Sequence, residues 1–154
     1  MLKIFLSLLI SVSLFSGCGK SNENSDINFS ELQSSLISKA DFENSIMENL
    51  KDITTAQKYG LAIDDIEEGF AYLTNNENSD RIILAKTKGG PSAENVEKSL
   101  GNEIAGLIAT WEDDTKESKK LKEHVLKTKE NYVILIISDN SAELEDEFDN
   151  YFNV

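Results

Sequence analysis

Residues 132–137 read Tyr132-Val133-Ile134-Leu135-Ile136-Ile137 (YVILII) and are the most apolar segment outside the N-terminal residues. Its six residues are all apolar, and most of them are β-branched or aromatic. An uninterrupted run of this length is typical of a central strand that is buried, or nearly buried, on both faces. The sequence therefore predicts a β-sheet with residues 132–137 at its centre.

Three further strands are predicted around this run. Residues 124–128 alternate weakly in polarity, and a tight turn at 129–131 joins them to the central strand. Residues 69–74 (GFAYLT) and 81–87 (RIILAKT) flank the turn-forming cluster NNENSD at 75–80. Because both connections are short, the sequence predicts two antiparallel hairpins.

The clearest helix is predicted over residues 92–111, where apolar residues recur at spacings of three and four. This stripe consists of Val96, Leu100, Ile104, Leu107, Ile108 and Trp111. The charged stretch 112–120 is expected to be a loop or a helical turn. Asn140 and Glu143 open a last helix. Its apolar residues are Leu144, Phe148 and Phe152, which lie four apart.

Short helical segments are predicted before the first hairpin. Ser30 and Gln33 form a capping box for a helix over 30–39. The helix is expected to restart at 41–43, because apolar residues then follow at a helical spacing. These residues are Phe42, Ile46 and Leu50. A further helical turn is predicted before Gly60, since glycine commonly ends a helix.

The order of elements is helix, strand, strand, helix, strand, strand, helix. Two hairpins that are each followed by a helix predict one four-stranded antiparallel sheet. We expect an α+β domain of two layers, with the helices mainly on one face of the sheet and with an N-terminal helical segment. A chain of 154 residues is long enough for one domain but not comfortably for two, so residues 30–154 are assigned to a single globular domain.

The N-terminal residues have the pattern of a targeting segment. Lys3 supplies a positive charge, and residues 4–15 are uncharged and mostly apolar. This run is too short to span a bilayer, which needs roughly 20 apolar residues, but it suits the apolar region of a signal peptide. The small residues Ser16 and Gly17 follow, and then the only cysteine, Cys18.

The segment LFSGC at 14–18 resembles the lipobox of bacterial lipoproteins. The resemblance implies cleavage after Gly17 and a thioether-linked lipid on Cys18, with acyl chains such as palmitate. Residues 1–17 are then a lipoprotein signal peptide. Residues 18–29 are expected to be the lipidated cysteine and a flexible tether, because they are mostly polar and rich in Ser and Asn. The domain is expected on the extracytoplasmic face of the cell membrane, held by this lipid.

Charge and cysteine content exclude several classes of function. The chain has 15 Lys and Arg residues against 28 Asp and Glu residues, which gives a formal net charge of −13. A chain with this negative charge repels phosphate backbones, and nucleic-acid binding is therefore not expected. One cysteine and one histidine cannot supply the four ligands that a structural zinc ion usually takes.

The order and spacing of the elements, together with the N-terminal segment, resemble a family of bacterial lipoproteins found mainly in clostridia, known as domain of unknown function 4358. The resemblance covers residues 41–152. The matching segments are Tyr59-Gly60-Leu61, Asp64 to Glu68, Arg81 to Lys86, the helix from Ser92, the segment around Leu121, and Asn131 to Asp139. The resemblance implies an extracytoplasmic α+β domain, and it brings no set of catalytic residues.

No catalytic residue, metal ligand or cofactor site is predicted. His124, the only histidine, has no second ligand or triad motif in the sequence and is expected at the surface or at a strand edge. If its side chain is exposed, its replacement by Ala should change the stability by less than about 0.5 kcal/mol. Residues 88–92 (KGGPS) lack the spacing of a phosphate-binding loop and are expected to form a strand-to-helix turn.

Charged residues form two groups of opposite sign near the C-terminus. Residues 116–130 contain six Lys and three Glu, whereas residues 139–149 contain six acids and no Lys or Arg. We expect the two segments to pair within the fold or to remain solvated; the alternative is that they steer a partner. The acidic runs at 64–68, 112–114 and 143–149 lack the alternation of a calcium-binding loop.

The preferred functional hypothesis is a non-enzymatic lipoprotein whose domain is monomeric and binds another envelope protein or a ligand. One alternative is a small envelope hydrolase that uses paired carboxylates, such as Asp64 and Glu68, as acid and base. Another is a module that binds divalent cations through the acidic runs. A transporter's solute-binding protein is disfavoured, because two lobes and a hinge need more residues than this chain has.

Overall fold

The strand of residues 132–137 lies inside the sheet with every residue buried, as its apolar run predicts. The computed structural model describes residues 27–75 and 77–153. The predicted signal peptide and Cys18 lie outside these residues. Within them the chain forms an α+β domain around a five-stranded antiparallel sheet.

The strands are numbered in chain order as β1 (Ser45–Asn49), β2 (Ile66–Thr74), β3 (Arg81–Thr87), β4 (Val125–Lys129) and β5 (Tyr132–Ile137). In the sheet they follow the order β1-β2-β3-β5-β4. The helices are α1 (Phe29–Ala40), α2 (Ile53–Lys58), α3 (Gly90–Thr110), α4 (Thr115–Lys122) and α5 (Ser141–Asn150). A short 3₁₀ turn covers Ile63–Asp65 and leads into β2.

Both predicted hairpins are confirmed, as β2–β3 and β4–β5. The long helix is confirmed as α3, with Pro91 in its first turn, where the missing N–H of proline has no cost. The charged stretch 112–120 contains the start of α4. Asp114 caps this helix, because its side chain accepts hydrogen bonds from the backbone N–H groups of Lys116 and Glu117, both at 2.9 Å.

The sheet has a fifth strand, β1, where the sequence predicted a helical restart. That prediction is wrong. Asp41 ends α1 in the left-handed conformation (φ 47°), and Asn44 adopts φ 50° before the strand begins. The four-residue spacing of Phe42, Ile46 and Leu50 is a multiple of the two-residue period of a strand, so it fits a strand as well as a helix.

The prediction of two layers with the helices mainly on one face is also wrong, because helices cover both faces. On one face, α1 and α5 bury side chains against the sheet: Leu32, Leu36, Leu144 and Phe148. On the other face, α3 and α4 do so: Val96, Leu100, Ile104 and Leu121. The physical reason lies in β3 and β5, whose neighbouring side chains alternate between the two faces and are buried on both.

Helix α1 begins at Phe29 and is capped by Asn28 rather than by Ser30. The Asn28 Oδ1 accepts hydrogen bonds from the backbone N–H groups of Ser30 and Glu31, at 3.1 and 3.2 Å. Ile27 and Phe29 are buried in the core between α1, α5 and the sheet. The last residues of the segment predicted as a tether are therefore packed onto the domain.

Candidate binding surface

Strand β1 forms one edge of the sheet and pairs only with β2. The Leu50 N–H donates to the Gly69 carbonyl at 3.0 Å, immediately after the strand. Because hydrogen-bonded and non-bonded positions alternate along an antiparallel pair, every second residue of β1 turns its backbone groups away from β2. These outward-facing residues are Ser45, Met47 and Asn49.

The chain around β1 also exposes apolar side chains. Among the described residues, the exposed large apolar side chains are Ile46, Met47, Ile53 and Ile108. The first three lie in β1 or shortly after it, and Met47 is 59% exposed. Ile46 and Met47 are consecutive strand residues and point to opposite faces, so the edge strand exposes an apolar side chain on each side of its unpaired backbone, which favours docking at this edge.

A groove of about 340 Å³ lies beside β1, on the face of the sheet that α1 covers. Its walls include Phe29 and Gln33 of α1, Met47 and Asn49 of β1, and Phe70 of β2. The Gln33 side-chain amide lies 3.1 Å from the Met47 sulfur. Charged residues also line the groove, among them Lys51, Glu67 and Glu68, so it offers mixed apolar and polar walls next to the open backbone of β1.

The opposite face of β1 is held in place by Glu48. Its carboxylate accepts hydrogen bonds from Lys58 Nζ at 2.8 Å and from the Tyr59 hydroxyl at 2.7 Å. Burial raises the pKa of Glu48, but these two hydrogen bonds outweigh it and keep that pKa below its ordinary value. Burial, and then the bond to Glu48, raise the pKa of Tyr59. These contacts tie the edge strand to α2.

A buried network of charges lies at the other end of the sheet, where α4 meets the β2–β3 turn. Lys120 Nζ lies 2.7 Å from an Asp80 oxygen and 2.9 Å from Glu117 Oε2. The same Glu117 oxygen accepts hydrogen bonds from Ser79 N–H at 2.7 Å and from Ser79 Oγ at 2.6 Å. Each charge is paired, so the network fastens α4 to the sheet. The strongly charged sequence of α4 gave no sign of this burial.

The two carboxylates proposed as an acid–base pair do not form a buried site. Asp64 is exposed in the 3₁₀ turn, and Glu68 is exposed on β2, with an oxygen 3.7 Å from Lys86 Nζ. Glu68 lies along the groove beside β1, whereas the groove lining does not include Asp64. The two carboxylates therefore do not line the same groove.

The KGGPS segment forms the predicted strand-to-helix turn between β3 and α3. A carboxylate of this chain already faces the first turn of α3. Ser92 Oγ donates to Asp65 Oδ1 at 2.7 Å, and the Asn95 amide donates to Asp65 Oδ2 at 3.1 Å. A negative group near the N-terminus of a helix is favourable, so Asp65 stabilises the start of α3.

The basic segment 116–130 and the acidic segment 139–149 contact each other, which confirms the prediction that they pair within the fold. Lys127 of β4 contacts Glu145 at 2.7 Å and Asp149 at 2.6 Å, both on α5. Lys129 lies 3.5 Å from Asp149, and Lys116 lies 3.5 Å from Asp139. The hydrogen bond to Asp149, followed by that to Glu145, raises the pKa of Lys127. The pairs made by Lys127 and Lys129 hold α5 against the edge strand β4.

His124 lies immediately before β4 and is half-buried rather than exposed. Its Nδ1 is 2.6 Å from the Leu121 carbonyl oxygen, in the last turn of α4, to which it donates a hydrogen bond. We expect His124→Ala to lower the free energy of unfolding by about 1 kcal/mol, which is the typical loss for one such bond. Urea denaturation measures it, with the exposed Lys122→Ala as control. A loss under about 0.5 kcal/mol would contradict the bond.

Two observations bear on metals and membranes. Among residues 27–75 and 77–153, no group of three or more His, Cys, Asp or Glu side chains is arranged to hold a metal ion. None of the helices in this same part of the chain combines the length and apolar character needed to cross a bilayer.

The comparison with known proteins identifies one family. The sequence model of domain of unknown function 4358 matches residues 26–138, which include all five strands and α1 to α4. No curated protein and no solved structure matches the chain. Because the family match spans well over half of the sequence, the chain belongs to the family known as domain of unknown function 4358.

Proposed function

We propose that this protein is an extracytoplasmic lipoprotein, anchored to the outer face of the cell membrane by a lipid on Cys18. Its α+β domain has no catalytic role and binds a protein of the cell envelope. The surface that carries this proposal is the open edge strand β1, with its exposed Met47 and the adjoining groove. An extended segment that adds to such an edge gains backbone hydrogen bonds, and a neighbouring groove selects its side chains.

The anchor is supported by the order of features at the N-terminus. A positive charge, an apolar run, two small residues and the only cysteine follow one another within residues 3–18. The packed domain begins at Ile27, so the segment from Cys18 could hold it up to roughly 30 Å from the headgroups if fully extended. The net charge of −13 opposes adsorption to anionic lipids, which leaves the lipid as the means of attachment.

Replacement of Cys18 by Ala tests the anchor. We expect the wild-type chain to incorporate an alkyne-labelled fatty acid and to resist extraction of the membranes at alkaline pH. The Cys18→Ala chain should incorporate no label and should be released from the membrane fraction. Ser21→Ala, in the same polar segment, is the matched control and should behave as wild type. A labelled Cys18→Ala chain, or an unlabelled wild type, would refute lipidation at this residue.

A further inference from the structure

We infer that the protein bound at the β1 edge is a second copy of this chain. In this arrangement, two β1 strands pair antiparallel about a two-fold axis at Met47 and join the two sheets into one. The inference rests on the proposed role of the β1 edge as a docking surface, and it replaces the sequence-based expectation of a monomeric domain. Register, charge and packing at the edge each support it.

The register of β1 is self-complementary. A two-fold axis at Met47 places Met47 opposite Met47 of the second copy, and Ser45 opposite Asn49 of the second copy. These are the residues whose backbone groups point away from β2, so the axis aligns every outward-facing donor with an acceptor. The Asn49 carbonyl already accepts from the Asp52 N–H at 3.0 Å, and its second lone pair remains available for the partner strand.

The charges flanking β1 favour an antiparallel pair of identical strands. Glu43 lies just before the strand, Lys51 lies just after it, and both residues are exposed. Lys51 Nζ donates a hydrogen bond to the Ile66 carbonyl at 2.7 Å, a neutral acceptor that leaves the positive charge uncompensated by that contact. Antiparallel pairing about Met47 brings Glu43 of each copy towards Lys51 of the other copy, at both ends of the contact. Parallel pairing would instead bring like charges together. Within the strand, Glu48 is placed opposite Ile46 of the second copy and not opposite another Glu48.

The two edges of the sheet differ in a way that singles out β1. Edge strand β4 carries Lys127 and Lys129, and lysines on an edge strand discourage pairing with other chains. Strand β1 contains no Lys and no Pro, and its central residue Met47 is exposed. Met47 of the second copy would lie beside the groove, where a flexible thioether side chain can adapt to an irregular space.

Disulfide trapping in cells that make the full-length chain tests the pairing directly. In a hydrogen-bonded antiparallel pair, opposite Cα atoms lie about 5.5 Å apart, which is within the range that a disulfide spans. We therefore expect Met47→Cys to give a covalent dimer under mild oxidation. Ile53→Cys is the matched control, since its side chain is equally accessible but lies outside the strand, and it should give none. The wild type controls for any disulfide through Cys18.

The outcomes separate this inference from the proposed function. A covalent dimer with Met47→Cys, but not with Ile53→Cys or the wild type, supports the self-pair. A Met47→Cys adduct with a different protein overturns the self-pair and keeps β1 as a docking edge. Equal amounts of covalent dimer from Met47→Cys and Ile53→Cys would overturn the self-pair. The absence of any adduct would also overturn it, and would in addition remove the support for docking at β1.

A charge exchange tests the antiparallel register. In the Met47→Cys background, Glu43→Lys and Lys51→Glu should each lower the yield of covalent dimer by at least about fivefold, because each puts like charges at both ends of the contact. The double variant Glu43→Lys/Lys51→Glu restores opposite charges and should recover the yield. Failure of the double variant to recover would overturn this register.

Discussion

Replacement of Lys120 by Ala is expected to lower the free energy of unfolding by about 3 to 5 kcal/mol, the usual effect of breaking a buried ion pair. The Lys120 side chain is only 3% exposed and lies between the carboxylates of Asp80 and Glu117. Its removal leaves two negative groups together without a counter-charge. Urea denaturation at neutral pH, followed by circular dichroism, measures the loss.

The neighbouring residue Lys119 provides the control on the same helix. Its side chain is 74% exposed, and its Nζ lies 4.0 Å from Glu123. Exposed pairs of this kind contribute little, so Lys119→Ala should change the free energy of unfolding by less than about 0.5 kcal/mol. Similar losses for Lys119→Ala and Lys120→Ala would show that the buried network does not hold α4.

The same network makes stability depend on pH. Burial raises the pKa of Glu117, but hydrogen bonds from Ser79 and Lys120 outweigh it and lower that pKa below 4.5. Its contribution is therefore present above pH 4.5 and is lost as the pH falls through the lower folded-state pKa. Burial lowers the pKa of Lys120, but bonds to Asp80 and Glu117 raise it above 10.5. That contribution is lost as the pH rises through the higher folded-state pKa. In the Lys120→Ala variant, the carboxylates of Asp80 and Glu117 can take up protons in acid, which removes their mutual repulsion. The difference in the free energy of unfolding between the wild type and Lys120→Ala should therefore shrink as the pH falls.

Replacement of Phe148 by Ala should lower the free energy of unfolding by about 4 kcal/mol, through lost burial and the cavity that remains. Phe148 lies on α5, is completely buried, and contributes to the core on the face that α1 and α5 cover. Thermal or urea denaturation measures the effect. The prediction tests the packing of α5 against the face of the sheet that it shares with α1.

Phe152 is the control for the loss of an aromatic ring. Its ring centroid lies 4.9 Å from that of Phe148, yet the residue is only half-buried. We expect Phe152→Ala to lower the free energy of unfolding by roughly 1 to 2 kcal/mol. An equal or larger loss for Phe152→Ala than for Phe148→Ala would contradict the packing of α5.

Local patterns predicted the central elements well because their signals are unambiguous. All six side chains of the run YVILII at 132–137 are apolar, so a strand formed from them must be buried on both faces. The apolar stripe of α3 repeats over several helical turns, which identifies it as a helix. The run YVILII already requires cover on both faces of the sheet, so a second helical layer follows from it. The two-layer prediction was wrong because it counted the hairpins and helices without applying that requirement.

The edge strand and the buried network could not be predicted in the same way. Spacing of four residues from Phe42 to Ile46 suits both a helix and a strand, and pairing with β2 decides between them. The burial of Glu117 and Lys120 depends on the β2–β3 turn, about forty positions earlier in the chain. Such long-range contacts leave no periodic signal, so the candidate binding surface emerged only from the structure.

The order of the strands also has a consequence for how the chain folds. Each hairpin closes through a short turn, whereas the β3–β5 ladder joins residues about fifty positions apart, such as Ile83 and Leu135. The chain must close a loop of this length before the β3–β5 pairing can stabilise the fold. We therefore expect association of the two hairpins to limit the folding rate. Substitutions in the β3–β5 ladder would then slow folding, while those in β1 would mainly speed unfolding.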